Sequence, residues 1–221
     1  MPVSYRPAGD SAILIQFGNA IDLELNRRVH ALAARILAAP LEGIGEPVPG
    51  YATLLVHYDP LRLEYPQALD WLQRQVDQAA GLALTAPREV QVPVHYGGEH
   101  GPDLDFVARQ AGLSPGEVVR LHASGLYPVY FLGFTPGFPY LGGLDSRLAC
   151  PRLETPRERV PAGSVGIAGP QTGIYPVDSP GGWRLIGWTP LRLFDPLRDP
   201  PALLAPGDVV RFIPQGEGWL E

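Results

Sequence analysis

The sequence predicts an α+β chain in which a mixed first domain is followed by an all-β second domain. Three observations carry this expectation. Long stretches of helical apolar spacing occur twice before residue 80, and only short helical connectors follow. Glycine and proline, 26 residues each, are denser after residue 125. There, short apolar runs alternate with turn signals, the pattern of a small closed barrel or a sandwich. With 221 residues, 45% of them hydrophobic and 18% charged, the chain has enough apolar material for a globular core.

Ala12 to Phe17 (AILIQF) is an apolar run of strand length. A helix starts at Asp22, with Leu25, Val29, Leu32, Ala33 and Ile36 on one face, and ends near Pro40. Gly43 to Pro49 is a weaker extended segment, and Ala52 to Tyr58 is a stronger strand. Pro66 suits a first helical turn; Leu69, Leu72, Val76 and Ala79 form the second apolar face, and Gly81 suits its C-terminal cap. Glu89 to His95 alternates as a strand, with Pro93 implying an edge or a bend. The order βαββαβ is the ferredoxin-like pattern, which by itself says little about function. A short helix from Asp103 to Ala111 follows, stopped by Gly112. Ser114, Pro115 and Glu117 then form a capping box at the start of another helix, which runs to about Ala123. The expected division is residues 1–87, a connector over 88–125, and a β domain over 126–221. Strands are expected at Pro128–Phe134, Ser164–Ala168, Trp183–Trp188, Leu191–Phe194 and Val209–Phe212, with a turn at Gly207-Asp208 before the last.

Composition excludes several chemistries. The net charge of −6 argues against a sequence-independent nucleic-acid binder, which needs dense positive charge. All 17 basic residues are arginine, so neither a phosphate loop with its lysine nor a lysine Schiff base is available. Cys150 is the single cysteine, which rules out an intrachain disulfide and a cysteine-based zinc cluster. It lacks a recognisable nucleophile signature and reads as a packed thiol. No apolar run reaches the roughly 18 residues of a membrane span, and the N-terminus has no signal pattern. A cytoplasmic location is expected.

Four segments are candidates for chemistry. Phe131 to Leu144 (FLGFTPGFPYLGGL) sets glycines beside aromatics. Phe134, Thr135, Pro136, Gly137, Phe138 and Tyr140 could let a ligand approach backbone and rings closely, or simply make a tight turn. Arg157 and Arg159, two residues apart, share one strand face. Their forks match a carboxylate or phosphate, although a solvated edge strand with a Glu–Arg pair is the more common case for exposed charge. Gln171 and Tyr175 flank a turn and could bond an amide, or Tyr175 could be half-buried packing. His95, Glu99, His100 and Asp103 lie close in sequence but lack HExxH spacing. No metal site is expected, and Asp103 reads as a helix N-cap. No GxSxG nucleophile elbow is present, so no catalytic residue is assigned.

VYFLGFTPGFPYLGGLD, PRERVPAGSVGIAGPQTGIYPVDSPGGW and LIGWTPLRLFDP resemble the B-subunit family of 5-oxoprolinase, also called allophanate hydrolase subunit 1 or the sporulation-kinase inhibitor family. VHYGGEHGPDL fits its interdomain segment. The resemblance covers the whole chain and is most specific over residues 126–214. It implies an N-terminal α+β domain and a C-terminal cyclophilin-like β-barrel. It also implies partners, the C and A subunits of 5-oxoprolinase, which together with this chain use ATP to open 5-oxo-L-proline to L-glutamate. On that reading the residues at Phe134–Tyr140, Arg157, Arg159, Gln171 and Tyr175 bind the substrate or dock the C subunit. ATP belongs to the complex and is handled elsewhere or shared. Related members point to two other roles: inhibition of a sensor histidine kinase, and a module of urea carboxylase or amidolyase.

Overall fold

The structure, a computed structural model, describes residues 2–79 and 87–216 and divides into two compact units, 1–86 and 87–221. In the first, the chain forms β1 (Ser4–Pro7), β2 (Ala12–Gln16), α1 (Leu23–Ala38), β3 (Ile44–Pro49), β4 (Thr53–Tyr58) and α2 (Tyr65–Ala79). Asp22 caps α1 by accepting the Leu25 N–H at 2.9 Å. Val29, Leu32, Ala33 and Ile36 are buried along one face of this helix, at the spacing the sequence predicts. On α2, Ala68, Leu72 and Ala79 are buried, with Leu69 and Val76 packed at the margin. Gly81, the expected cap, lies outside the described residues.

The strands pair antiparallel in the order β1-β2-β4-β3. Ile13 and Ile15 of β2 and Leu54 and Val56 of β4 alternate into the helix-covered core. Burying one such side chain stabilises by about 2 kcal/mol. The chain order here is ββαββα, not the expected βαββαβ. Ser4–Pro7 adds a first strand that the sequence hides, because it is short, half-exposed and without apolar alternation. Glu89–Tyr96, expected to close this set, lies in the other unit.

The second unit comprises β5 (Glu89–Tyr96), α3 (Leu104–Ala111), α4 (Pro115–Ser124), β6 (Tyr127–Leu132), β7 (Pro139–Leu141), β8 (Arg157–Val160), β9 (Ser164–Ala168), β10 (Gln171–Ile174), β11 (Ser179–Gly181), β12 (Arg184–Trp188) and β13 (Val209–Gln215). A closed barrel runs β10-β7-β6-β13-β5-β12-β9 and back to β10, while β8 and β11 form a separate two-stranded ribbon. β5 lies parallel to β13 over its whole length, from Val209 opposite Glu89 to Gln215 opposite His95. It meets β12 only at His95 and Tyr96. Pro93 is therefore tolerated inside a closed barrel, because its missing N–H falls where β12 makes no pair. Leu191–Phe194, expected as a strand, makes only an isolated bridge between Phe194 and Ala202.

Val92, Val94, Val129, Val165, Ile167, Ile186 and Phe212 fill the barrel, and Val107, Val118 and Val119 of the two helices join the same core. The helices are thus built into the second unit. The α4 capping box forms as expected: the Ser114 hydroxyl accepts the Glu117 N–H, and the Glu117 carboxylate accepts the Ser114 N–H at 2.7 Å. α4 also carries His122, fully buried, into the core. Its Nδ1 lies 2.7 Å from the Tyr96 hydroxyl and its Nε2 2.9 Å from Thr172 Oγ1. Thr172 donates to the Gly166 carbonyl, so its oxygen accepts the His122 Nε2–H and Tyr96 donates to Nδ1. This network satisfies a neutral ring, and burial holds its pKa down at about 3. No helix among the described residues is long and apolar enough to cross a membrane.

Candidate functional site

β6 and β7 are joined by a turn over residues 133–138 in which three backbone bonds fold the chain tightly. The Gly133 N–H meets the Phe138 carbonyl at 3.0 Å, the Thr135 N–H meets that of Gly133 at 2.7 Å, and the Phe138 N–H meets that of Thr135 at 3.0 Å. Phe134 takes a left-handed conformation, φ 64°, unusual for a residue with a bulky side chain. That conformation presents its ring to solvent with 65% of the residue exposed. Gly137, at φ 79°, passes so close to Phe194 that a Cβ there would press on the Phe194 Cβ. Residues 132–137 line an open depression of about 290 Å³.

Behind this turn the aromatic residues converge. Phe138 is 2% exposed and contacts Phe134 at 5.6 Å between ring centroids, Tyr140 at 5.3 Å, Tyr175 at 5.5 Å and Trp183 at 5.5 Å, all edge-on. Phe131 stacks on Tyr140 at 4.4 Å. Phe138, Val160, Ala168, Tyr175, Trp183 and Leu185 form a core of their own beside the barrel interior. The fold therefore brings Phe134, Phe138, Tyr140 and Tyr175 into one connected group. Within it, Phe134 is the exposed tip and Tyr175, 1% exposed, is a buried support.

The two arginines of β8 have different surroundings. Arg157 Nη2 pairs with Asp103 Oδ2 at 2.8 Å, and its Nη1 donates to the Trp183 carbonyl at 3.2 Å. Arg159 is mostly exposed and pairs with Asp178 at 2.6 Å. Asp178 also accepts the Ala162 N–H, and these contacts hold its carboxyl below the usual range. Each guanidinium is thus already engaged by a carboxylate of this chain. Gln171 opens β10 opposite Ala168, half-buried, after the turn at Gly169-Pro170.

Asp103, expected as an N-cap, makes no capping bond with its side chain. Its Oδ2 instead accepts the Leu185 N–H at 2.7 Å as well as Arg157, while Oδ1 lies 3.8 Å from Arg184 Nη1. The Asp103 N–H reaches back to the Leu185 carbonyl at 2.9 Å. This buried carboxylate fastens the start of α3 to β12 and to the β8 ribbon. Sequence shows a cap residue at that position, and nothing in it betrays partners 54 and 82 residues away. Arg184 lies 3.6 Å over the Phe106 ring. Cys150 is buried, with its thiol pushed up to about 11 by desolvation, the state of an unreactive thiol. His95 and His100 lie 6.3 and 5.2 Å from the Trp188 ring and 6.0 Å from each other, between centroids. Among the described residues, no group of three or more His, Cys, Asp or Glu is arranged to hold a metal.

Residues 3–204 match the family model described as carboxyltransferase domain, subdomain C and D. A curated relative, named as the B subunit of 5-oxoprolinase from Bacillus subtilis (strain 168), is 48% identical, covering 96% of this chain and 94% of the relative. The crystal structure of TTHA0988 is 44% identical with a TM-score of 0.81. It aligns with 95% of this chain, which spans only 41% of that longer protein. The K. lactis urea amidolyase structure, 25% identical with a TM-score of 0.78, aligns with 97% of this chain over 15% of its own length.

Proposed function

The chain belongs to the carboxyltransferase domain, subdomain C and D, family together with proteins named as the B subunit of 5-oxoprolinase, and from that premise we propose that it is the B subunit of an ATP-dependent 5-oxoprolinase. The observation that carries the reading is the 48% identity over nearly the full length of both chains. The complex converts 5-oxo-L-proline to L-glutamate, and the A and C subunits are its other members. A lactam carbonyl is a poor electrophile, so ring opening is coupled to ATP. With no lysine and no GxxxxGK[ST] segment, this chain leaves the nucleotide to the other subunits or shares it. Its contribution is the face at Phe134–Tyr140, where an exposed ring on a rigid turn offers contact area to the substrate or to the C subunit. The cyclophilin-like name for the barrel and a cytoplasmic location belong to the same reading.

The test reconstitutes the purified chain with the A and C subunits, 5-oxo-L-proline and ATP, and measures glutamate. Release is expected only when this chain is present; equal release without it overturns the reading. The likeness to the urea amidolyase structure favours a second role, as a module acting on urea. Turnover of urea in place of 5-oxoproline, in an assembly containing this chain, distinguishes the two.

A further inference from the structure

We propose that the turn between β6 and β7 is a subsite for a neutral secondary amide, taken up by the main-chain groups of Phe134 and Gly137 against the Phe134 ring. The amide is the lactam of a substrate ring or a peptide bond of a partner. This deepens the function proposed above, and rests on it only in identifying the lactam with that of 5-oxoproline.

The segment is two turns fused. The Thr135 N–H donates to the Gly133 carbonyl at 2.7 Å across Phe134, whose φ is 64°, which makes a γ-turn of the rare positive-φ kind. The Phe138 N–H donates to the Thr135 carbonyl at 3.0 Å across Pro136 and Gly137, the residues that a type II turn favours. The Gly133 N–H, on the Phe138 carbonyl at 3.0 Å, closes the pair. These bonds use the N–H and the carbonyl of Gly133, Thr135 and Phe138. Among the described residues, the Phe134 N–H and carbonyl and the Gly137 N–H are left without a partner. Burial does not offset the strain at Phe134, since 65% of that residue is exposed. Backbone strain kept at such a place is characteristic of ligand clamps.

The unbonded groups border the depression itself. Its volume, about 290 Å³, is at the small end of ligand sites, and suits a five-membered ring better than a nucleotide. Gly137 is buried against Phe194 and still lines it, so the depression is the open side on which its N–H can find an acceptor. None of the six lining residues carries a charge. The adjoining loop, which reaches Gly137 through Phe194, holds Arg192, Asp195, Arg198 and Asp199, two charges of each sign. Asp195 pairs with Arg192 at 3.0 Å, Arg198 is bonded to the carbonyls of Arg192, Leu193, Pro200 and Pro201, and Asp199 is exposed to water. An ion in the depression would lose hydration without gaining a counter-charge. A secondary amide matches what is offered: its carbonyl accepts an N–H, its own N–H donates to a carbonyl, and its flat face packs on a ring.

The experiment follows the backbone amide resonances of the full chain during titration with four small probes. These are 2-pyrrolidinone, N-methyl-2-pyrrolidinone (the lactam without its N–H), cyclopentanone (the ring with a carbonyl alone) and N-methylacetamide (the open-chain trans amide of a main chain). 2-Pyrrolidinone should shift the Phe134 and Gly137 amide protons, with the millimolar affinity expected of so small a ligand. N-methyl-2-pyrrolidinone and cyclopentanone should each bind about fivefold more weakly, the loss of one neutral hydrogen bond. Phe134→Ala, which keeps both N–H groups but removes the ring, should also weaken 2-pyrrolidinone about fivefold. Tighter binding of 2-pyrrolidinone than of N-methylacetamide assigns the subsite to a substrate lactam. The reverse order sustains the amide subsite and assigns it to the main chain of a partner. If neither amide moves the Phe134 and Gly137 resonances, or cyclopentanone binds as tightly as 2-pyrrolidinone, there is no amide subsite. That failure leaves the subunit reading untouched, because glutamate release by the reconstituted complex decides it separately.

Discussion

At the scale of single residues, neighbouring side chains in the same motif have opposite duties. Phe134 and Phe138 are four apart in one glycine-rich string, yet one is exposed and the other supports four rings. Phe138→Ala should lower stability by about 3–5 kcal/mol in urea unfolding, since it empties the centre of a packed cluster. Phe134→Ala should change it by no more than about 0.5 kcal/mol, and lower 5-oxoprolinase turnover or binding of the C subunit in the reconstituted complex. His122 makes a prediction in pH. Its folded pKa, about 3, lies below the ordinary value of 6.5, so the unfolded chain binds the proton first. The contribution is complete above about pH 6.5 and is lost as pH falls from there toward about 3. Between pH 7 and 5, above the carboxylate range, the native protein should lose more unfolding free energy than His122→Gln does. Equal slopes would remove His122 as the source.

At the scale of elements, Asp103 decides how a helix meets the barrel. It sits where a helix cap belongs, but its carboxylate is given to the Leu185 backbone and to Arg157. Asp103→Ala leaves Arg157 and Arg184 without their counter-charge and should cost about 3 kcal/mol in equilibrium unfolding. Hydrogen exchange at Leu185, whose N–H loses its acceptor, should accelerate. Asp103→Asn keeps an acceptor for that N–H and should protect it better than alanine. Pro93 and β5 likewise depend on where a neighbour pairs: a strand marked as an edge by its proline sits inside a closed barrel because β12 pairs only beyond it.

At the scale of the whole molecule, each unit has its own core. Ile13, Leu32 and Leu72 belong to one, and Val92, Ile167 and Phe212 to the other. Leu72→Ala should cost the first unit about 2–5 kcal/mol. Measured by native-state hydrogen exchange, that loss should appear at β2 and β4 and leave protection in β9 and β12 unchanged. A uniform loss across both units would show that the two cores unfold as one.

The sequence by itself determined the helices and their buried faces, the capping box at Ser114 and Glu117, the all-β character of the later part and the family. Each of these depends on local spacing, turn chemistry or a contiguous string, information carried within a few neighbouring residues. Tertiary structure alone decided that Glu89–Tyr96 joins the barrel, because strand pairing links residues more than a hundred positions apart. It also decided the state of each candidate site residue. Arg157 and Arg159 have the same side chain, but their availability depends on Asp103 and Asp178, which reach them only through the fold. Side-chain chemistry can be read from sequence; whether a charge is already neutralised is a property of long-range contacts.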